Sequence, residues 1–250
     1  MRAARVIFQV HSLRAEGLTQ AELEGVLARH PVETGSLGVT AHHADDAGRV
    51  ASGSLPPARD FSPPLDFETY ARLRQARWIY RIEATEVEPE DLGYLRAALL
   101  CAGEVAAMTD GLIVDLLAFT TLAAEEVARE IDRPFDPLRH VCVHVERGPR
   151  PYFVHTHGLE KFGHPDLELH GVPRGSVDVA RSILRHVVAA VVAGGRFRAG
   201  ETTQLCGFHF AFAASGHPEP AHFSNGSLCL GGFELLGDVV TPEMEGMLVA

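Results

Sequence analysis

Residues 140–157, HVCVHVERGPRPYFVHTH, decide how the second half of this chain is read. On either side of Gly148-Pro149, valines and histidines recur at every second position, the pattern of two strands joined by a turn at 147–150. Side chains alternate faces along a strand. One face therefore carries Val141, Val143, Val145, Tyr152, Val154 and Thr156, and the other carries His140, Cys142, His144, Phe153, His155 and His157. The valine face is the core face. A turn at 147–150 sets Glu146 opposite Pro151, which puts His140 opposite His157 and Cys142 opposite His155. Facing Cβ atoms in such a pair are about 5 Å apart. An odd-length turn or a bulge would send one strand's set to the other face, so the arrangement depends on register.

Three imidazoles and a thiol so placed can close around zinc or another divalent transition metal, with His140, Cys142, His155 and His157 as the ligand set. The plainer reading is a half-exposed polar face, because no spacing here has the specificity of HExxH or of paired CxxC. Ten of the 14 histidines nevertheless lie beyond position 139, so this region is the best candidate for a site. The segment that follows, GLEKFGHPDLELHG at 158–171, adds Glu160, His164 and Asp166 to a candidate cleft with His155 and His157. His209 looks toward the same cleft from a later strand. A catalytic version keeps one coordination position open, so Cys142 is not a ligand in it, and Glu160 or Asp166 is the general base. The segment also has a structural explanation. Gly158 and Gly163 allow unusual backbone angles, Pro165 fixes one, and Leu159, Phe162, Leu167 and Leu169 anchor the turn. On that reading His155 donates to a carbonyl of the following loop and packs beside Phe153.

Working outward, 5–10 is a first strand, and Thr19 with Glu22 forms a capping box before a short helix faced by Leu23, Val26 and Leu27. A strand at 35–42 is followed by a Pro/Gly-rich loop at 45–64. A strand at 76–87, a helix beyond Pro89 stopped at Asp110-Gly111, a strand at 112–117 and a helix over 122–131 complete this half. That order predicts an α+β protein, ferredoxin-like or a related mixed sheet, with helices packed on one face. The C-terminal half predicts antiparallel hairpins, a long helix capped by Ser176 with a buried apolar end at 187–193, a strand at 203–213 with a phenylalanine face, and a last strand after Asn225-Gly226. The boundary falls near 132–138. An N-terminal lobe then spans 1–131, and a C-terminal lobe with the histidines spans 139–250.

Composition narrows the function. A net charge of −11 argues against nucleic acid, which needs a basic face. No stretch has the roughly 18 apolar residues of a membrane span. Four dispersed cysteines without a CxxC pair fit reduced thiols and a cytoplasmic setting. There is no phosphate loop, GxGxxG or GxSxG elbow.

The run His155-Thr156-His157-Gly158-Leu159, then Phe162-Gly163, then Pro165-Asp166-Leu167-Glu168, resembles a HTxG[LM]xxFGxP[DE]LE motif of uncharacterised bacterial proteins, a domain-of-unknown-function family. Residues 106–115 are similar to a weaker second element of it. The resemblance implies importance for His155, Gly158, Gly163 and Pro165, and a setting near toxin and immunity genes, but no activity. The expectation is a regulatory or binding protein, immunity-like in form and without catalysis, that takes a protein or small-molecule partner. The alternative is a metal-dependent hydrolase built on the histidine-rich hairpin face.

Overall fold

The computed structural model describes residues 3–231 except 46, 50–52, 54, 88, 90, 132, 147–151, 206, 207 and 215–226. The chain divides into two compact units, Met1–Pro137 and Leu138–Ala250. The first contains β1 (Ala4–Ser12), α1 (Gln20–Arg29), β2 (Ser36–His43), α2 (Phe67–Arg74), β3 (Trp78–Glu86), α3 (Gly93–Thr109), β4 (Leu112–Asp115), β5 (Thr120–Leu122) and α4 (Ala124–Ile131). Its sheet order is β2-β3-β1-β4-β5, and every neighbouring pair is antiparallel. β1 and β2, joined by α1, flank β3. β3 and β4, joined by α3, flank β1. These interleaved halves are the split β-α-β arrangement of ferredoxin-like domains, extended at one edge by β5.

Local chemistry explains the elements. The Thr19 hydroxyl accepts from the Glu22 amide at 3.3 Å while the Glu22 carboxylate accepts from the Thr19 amide at 2.7 Å, closing the expected capping box. At the other end of α3, Asp110 adopts a left-handed φ of 48° and Gly111 donates back to the Ala106 carbonyl. Val6, Phe8 and Val10 on β1 pair with Ala84, Ile82 and Tyr80 on β3 to form a fully buried face, and α3 packs against these strands. The segment read as a loop at 45–64 does more than connect. Phe61 is fully buried with Leu73 and Val114, and Leu55, Leu65, Tyr70, Leu112 and Leu116 pack around them. α2 follows, capped by Asp66, whose carboxylate accepts from the Thr69 amide.

The second unit contains β6 (Cys142–Glu146), β7 (Tyr152–His157), β8 (Asp166–Val172), α5 (Val177–Val192), β9 (Thr202–Leu205), β10 (Phe208–Ala214) and β11 (Ser227–Gly231). The order is β6-β7-β8-β11-β10-β9, with β8 and β11 parallel and the other neighbours antiparallel. α5 packs on β6, β7 and β8 through Val179, Ile183, Leu184, Val187 and Val191. Three expectations change here. Ser176 occupies the N-cap position of α5 but makes no capping hydrogen bond through its side chain. The 187–193 end stays amphipathic, with Ala189 and Ala193 exposed, because α5 lies on the sheet by one side only. The single strand at 203–213 is two strands, since Leu205 pairs with Phe208 and the chain reverses between them. Phe210 and Phe212 are buried as a phenylalanine face requires. Cys206, Asn225 and Gly226 lie outside the described residues. Among the described residues no helix is long and apolar enough to cross a membrane.

Candidate metal centre

β6 and β7 form the expected hairpin with its pairing moved by two positions. Glu146 faces Phe153, not Pro151, and so His144 faces His155 and Cys142 faces His157. A shift of two keeps every side chain on its face. It changes only who sits opposite whom. The expected pairs His140–His157 and Cys142–His155 do not form. His140 precedes β6 in the 3-10 turn Pro137–His140, buried, with its carbonyl accepting from Lys161 Nζ at 2.8 Å. Burial, followed by the nearby Lys161 and Arg139 charges, lowers its pKa to about 3.

The shift brings His144, His155 and His157 together. One ring nitrogen from each lies within 4.8 Å of the others. His155 and His157 are buried, and their Nε2 atoms are 3.1 Å apart. The His155 and His157 rings are nearly perpendicular with centroids 4.7 Å apart, as are those of His144 and His157. His144 and His155 stack at 5.6 Å. Two imidazole nitrogens on one tetrahedral ion, each bonded at roughly 2.0–2.1 Å, stand roughly 3.3 Å apart. The 3.1 Å separation of His155 and His157 is close to that value. Glu146 Oε1 lies 3.9 Å from His155 Nε2, at the solvent side of the group.

The same row continues across the sheet. His155 pairs with Glu168 on β8, and Glu168 pairs with Cys229 on β11. Glu168 is fully buried and accepts from His170 Nε2 at 3.0 Å. Phe153 lies between two imidazoles, stacked on His155 at 4.5 Å and on His170 at 4.6 Å. The packing of His155 beside Phe153 is thus present. Burial, and then the Glu168 charge, raises the Cys229 thiol pKa above its ordinary value.

The remaining candidate residues serve the turn. Gly158 and Gly163 hold left-handed backbone at φ 109° and 66° around the 3-10 turn Leu159–Phe162, where a side chain would be strained. The Thr156 hydroxyl donates to Asp166 Oδ1 at 2.9 Å and accepts from the Leu167 amide at 2.8 Å. Asp166 also accepts from the Leu159 amide at 3.2 Å. Burial lifts the Asp166 carboxyl to about 7, against the pull of these hydrogen bonds. His164 donates from Nδ1 to the Pro165 carbonyl and accepts at Nε2 from the Phe197 amide. Glu160 is buried within the turn itself. Thr156 and Asp166 therefore hold the segment assigned to His155 at the sequence level. The side chain of His209 lies outside the described residues.

His144 and Glu146 are the residues sequence reasoning did not bring to the site. The alternation puts His144 on the correct face, and the signal needed to seat it is the register. In the sequence Glu146 flanks the turn at 147–150. No protein-family model, curated protein or solved structure matches this chain.

Proposed function

We propose that the C-terminal unit holds one divalent transition-metal ion on His144, His155 and His157, and that the chain works through that ion as a metal-dependent hydrolase. This takes the second of the two functions weighed from the sequence. The non-catalytic reading rests on the acidic charge, the absence of catalytic motifs and a turn with a structural explanation, whereas the histidine group is a positive observation. The carrying observation is the convergence of three imidazole nitrogens within 4.8 Å on the hairpin face. Three protein ligands are the number that leaves a coordination position for water. Neutral imidazoles leave the ion's double charge undiminished, and such an ion lowers the pKa of bound water to about 7, supplying hydroxide at neutral pH.

The protein's own groups fit that chemistry. β7, paired on both sides, fixes the His155 and His157 rings, the edge strand β6 carries His144, and the Phe153 stack limits rotation of His155. Glu160 is buried in the turn, Asp166 accepts from Thr156 and the Leu159 amide, and Glu146 Oε1 lies 3.9 Å from His155 Nε2. Metal analysis of untagged full-length protein tests the reading. The expected result is about one equivalent of tightly held zinc, manganese, iron or nickel per chain. Less than about a tenth of an equivalent, after growth with those metals, contradicts it.

A further inference from the structure

The geometry points to Glu146 as the fourth protein ligand of this centre, its one oxygen donor and the arm that faces solvent. The inference rests on the metal-binding reading just given. Glu146 stands two residues after His144 on β6, so both side chains leave the same face of the strand. Its Oε1 is 3.9 Å from His155 Nε2. Two ligands bonded to one ion at roughly 2.1 Å lie between roughly 3 and 4 Å apart as their angle opens from a right angle to a straight line. The 3.9 Å separation falls inside that range, while the described residues whose ligand atoms all lie within 4.8 Å of one another are the three histidines, so the Glu146 side chain would turn inward to join the ion.

Two other carboxylates near the hairpin are hydrogen-bonded to groups outside the histidine set. Glu168 faces His155 in register yet is fully buried against His170. Asp166 is taken by Thr156 and Leu159. The Glu146 side chain is half-exposed, at 50%, while that of His155 is 1% exposed. Charge favours the assignment too. Three neutral imidazoles leave two positive charges on an ion at a mostly buried face, and one carboxylate halves them. A carboxylate beside nitrogen ligands also moves the preference from copper(I) toward zinc, manganese and iron(II). Four protein ligands close a tetrahedral shell, so water would join this centre as a fifth ligand or on displacement of the Glu146 arm.

Cobalt(II) is the probe. Metal-stripped full-length protein is titrated with cobalt(II) while its visible d–d absorption is followed, for the wild type, Glu146→Gln, Glu146→Asp and His155→Ala. Circular dichroism checks that each variant is folded. The expected result is binding by the wild type, loss of it in His155→Ala, and affinity weakened by roughly 10- to 100-fold with an altered band in Glu146→Gln. Glu146→Asp, which keeps the oxygen on a shorter arm, falls between. Wild-type affinity and an unchanged spectrum in Glu146→Gln overturn the assignment while leaving the histidine centre intact. A wild-type protein that takes up no cobalt(II) overturns the metal centre, and this inference with it.

Discussion

His11 in the N-terminal unit and His155 in the C-terminal unit are both buried imidazoles on interior strands, 3% and 1% exposed. Their neighbours differ in kind. His11 Nδ1 donates to the Leu73 carbonyl at 3.2 Å, and its Nε2 lies 2.9 Å from the Gln9 carboxamide oxygen, whose amide nitrogen in turn donates to the Gly53 carbonyl. Each ring nitrogen thus meets an amide group of the fold. Burial lowers the His11 pKa to about 4, with the Leu73 carbonyl opposing and the Arg49 charge adding to it. His155 Nε2 meets another imidazole nitrogen at 3.1 Å, with a third ring beside both. Burial alone does not make a site. A histidine whose nitrogens end on amides belongs to the core, whereas imidazoles whose nitrogens converge on one another have the arrangement that could hold a cation.

The comparison can be broken most sharply by exchanging the two positions in a metal assay. His155→Ala should drop the bound metal from about one equivalent to below about a tenth, whereas His11→Ala should leave the stoichiometry unchanged. Equal loss from both variants would mean that metal content follows general stability. The next effect is on pH. His11 is neutral in the fold with its pKa lowered to about 4, against 6.5 as the ordinary value. Between these two values the unfolded chain binds the proton and the folded chain does not, so stability present above pH 6.5 is lost as pH falls toward 4. The loss is on the order of 3 kcal/mol. Trp78, the single tryptophan, lies on β3 opposite Ser12, one residue from His11, and reports on this region by fluorescence in urea titrations. A His11→Gln variant should show a flatter dependence over that window, and an unchanged slope would remove His11 as its source. The smallest effect concerns the turn. Thr156→Val deprives buried Asp166 and the Leu167 amide of their shared partner and should cost roughly 1–3 kcal/mol at unchanged m-value, with metal content kept. A larger loss in His155→Ala than in Thr156→Val, with metal absent from both samples, would return the turn-holding role to His155.

Legibility in the sequence followed the range of the signal. The capping box at Thr19 and Glu22, the Asp110-Gly111 stop and the alternation along β1 and β3 are local patterns, and the split β-α-β order follows from them. α2 is short and its FETYARLR sequence has only Leu73 buried, while β5 is three residues long, so neither has enough periodicity to stand out. On the hairpin, the two faces were legible because the side-chain period is fixed at two. The pairs were not, because register depends on the connection between the strands, and a shift of two residues replaced His140 and Cys142 with His144 in the group. Nor does a sequence distinguish a carboxylate that binds backbone amides, such as Asp166, from one that faces a cavity. That difference is made by where Leu159 and Thr156 fold back to.

The most direct test of the account is anomalous diffraction from crystals of the zinc-loaded full-length protein, recorded on both sides of the zinc edge. The account predicts one strong peak bonded to His144, His155 and His157 at about 2.0–2.1 Å from each ligating nitrogen. A fully loaded protein whose peak lies elsewhere, with the Nε2 atoms of His155 and His157 still hydrogen-bonded to each other, would contradict it.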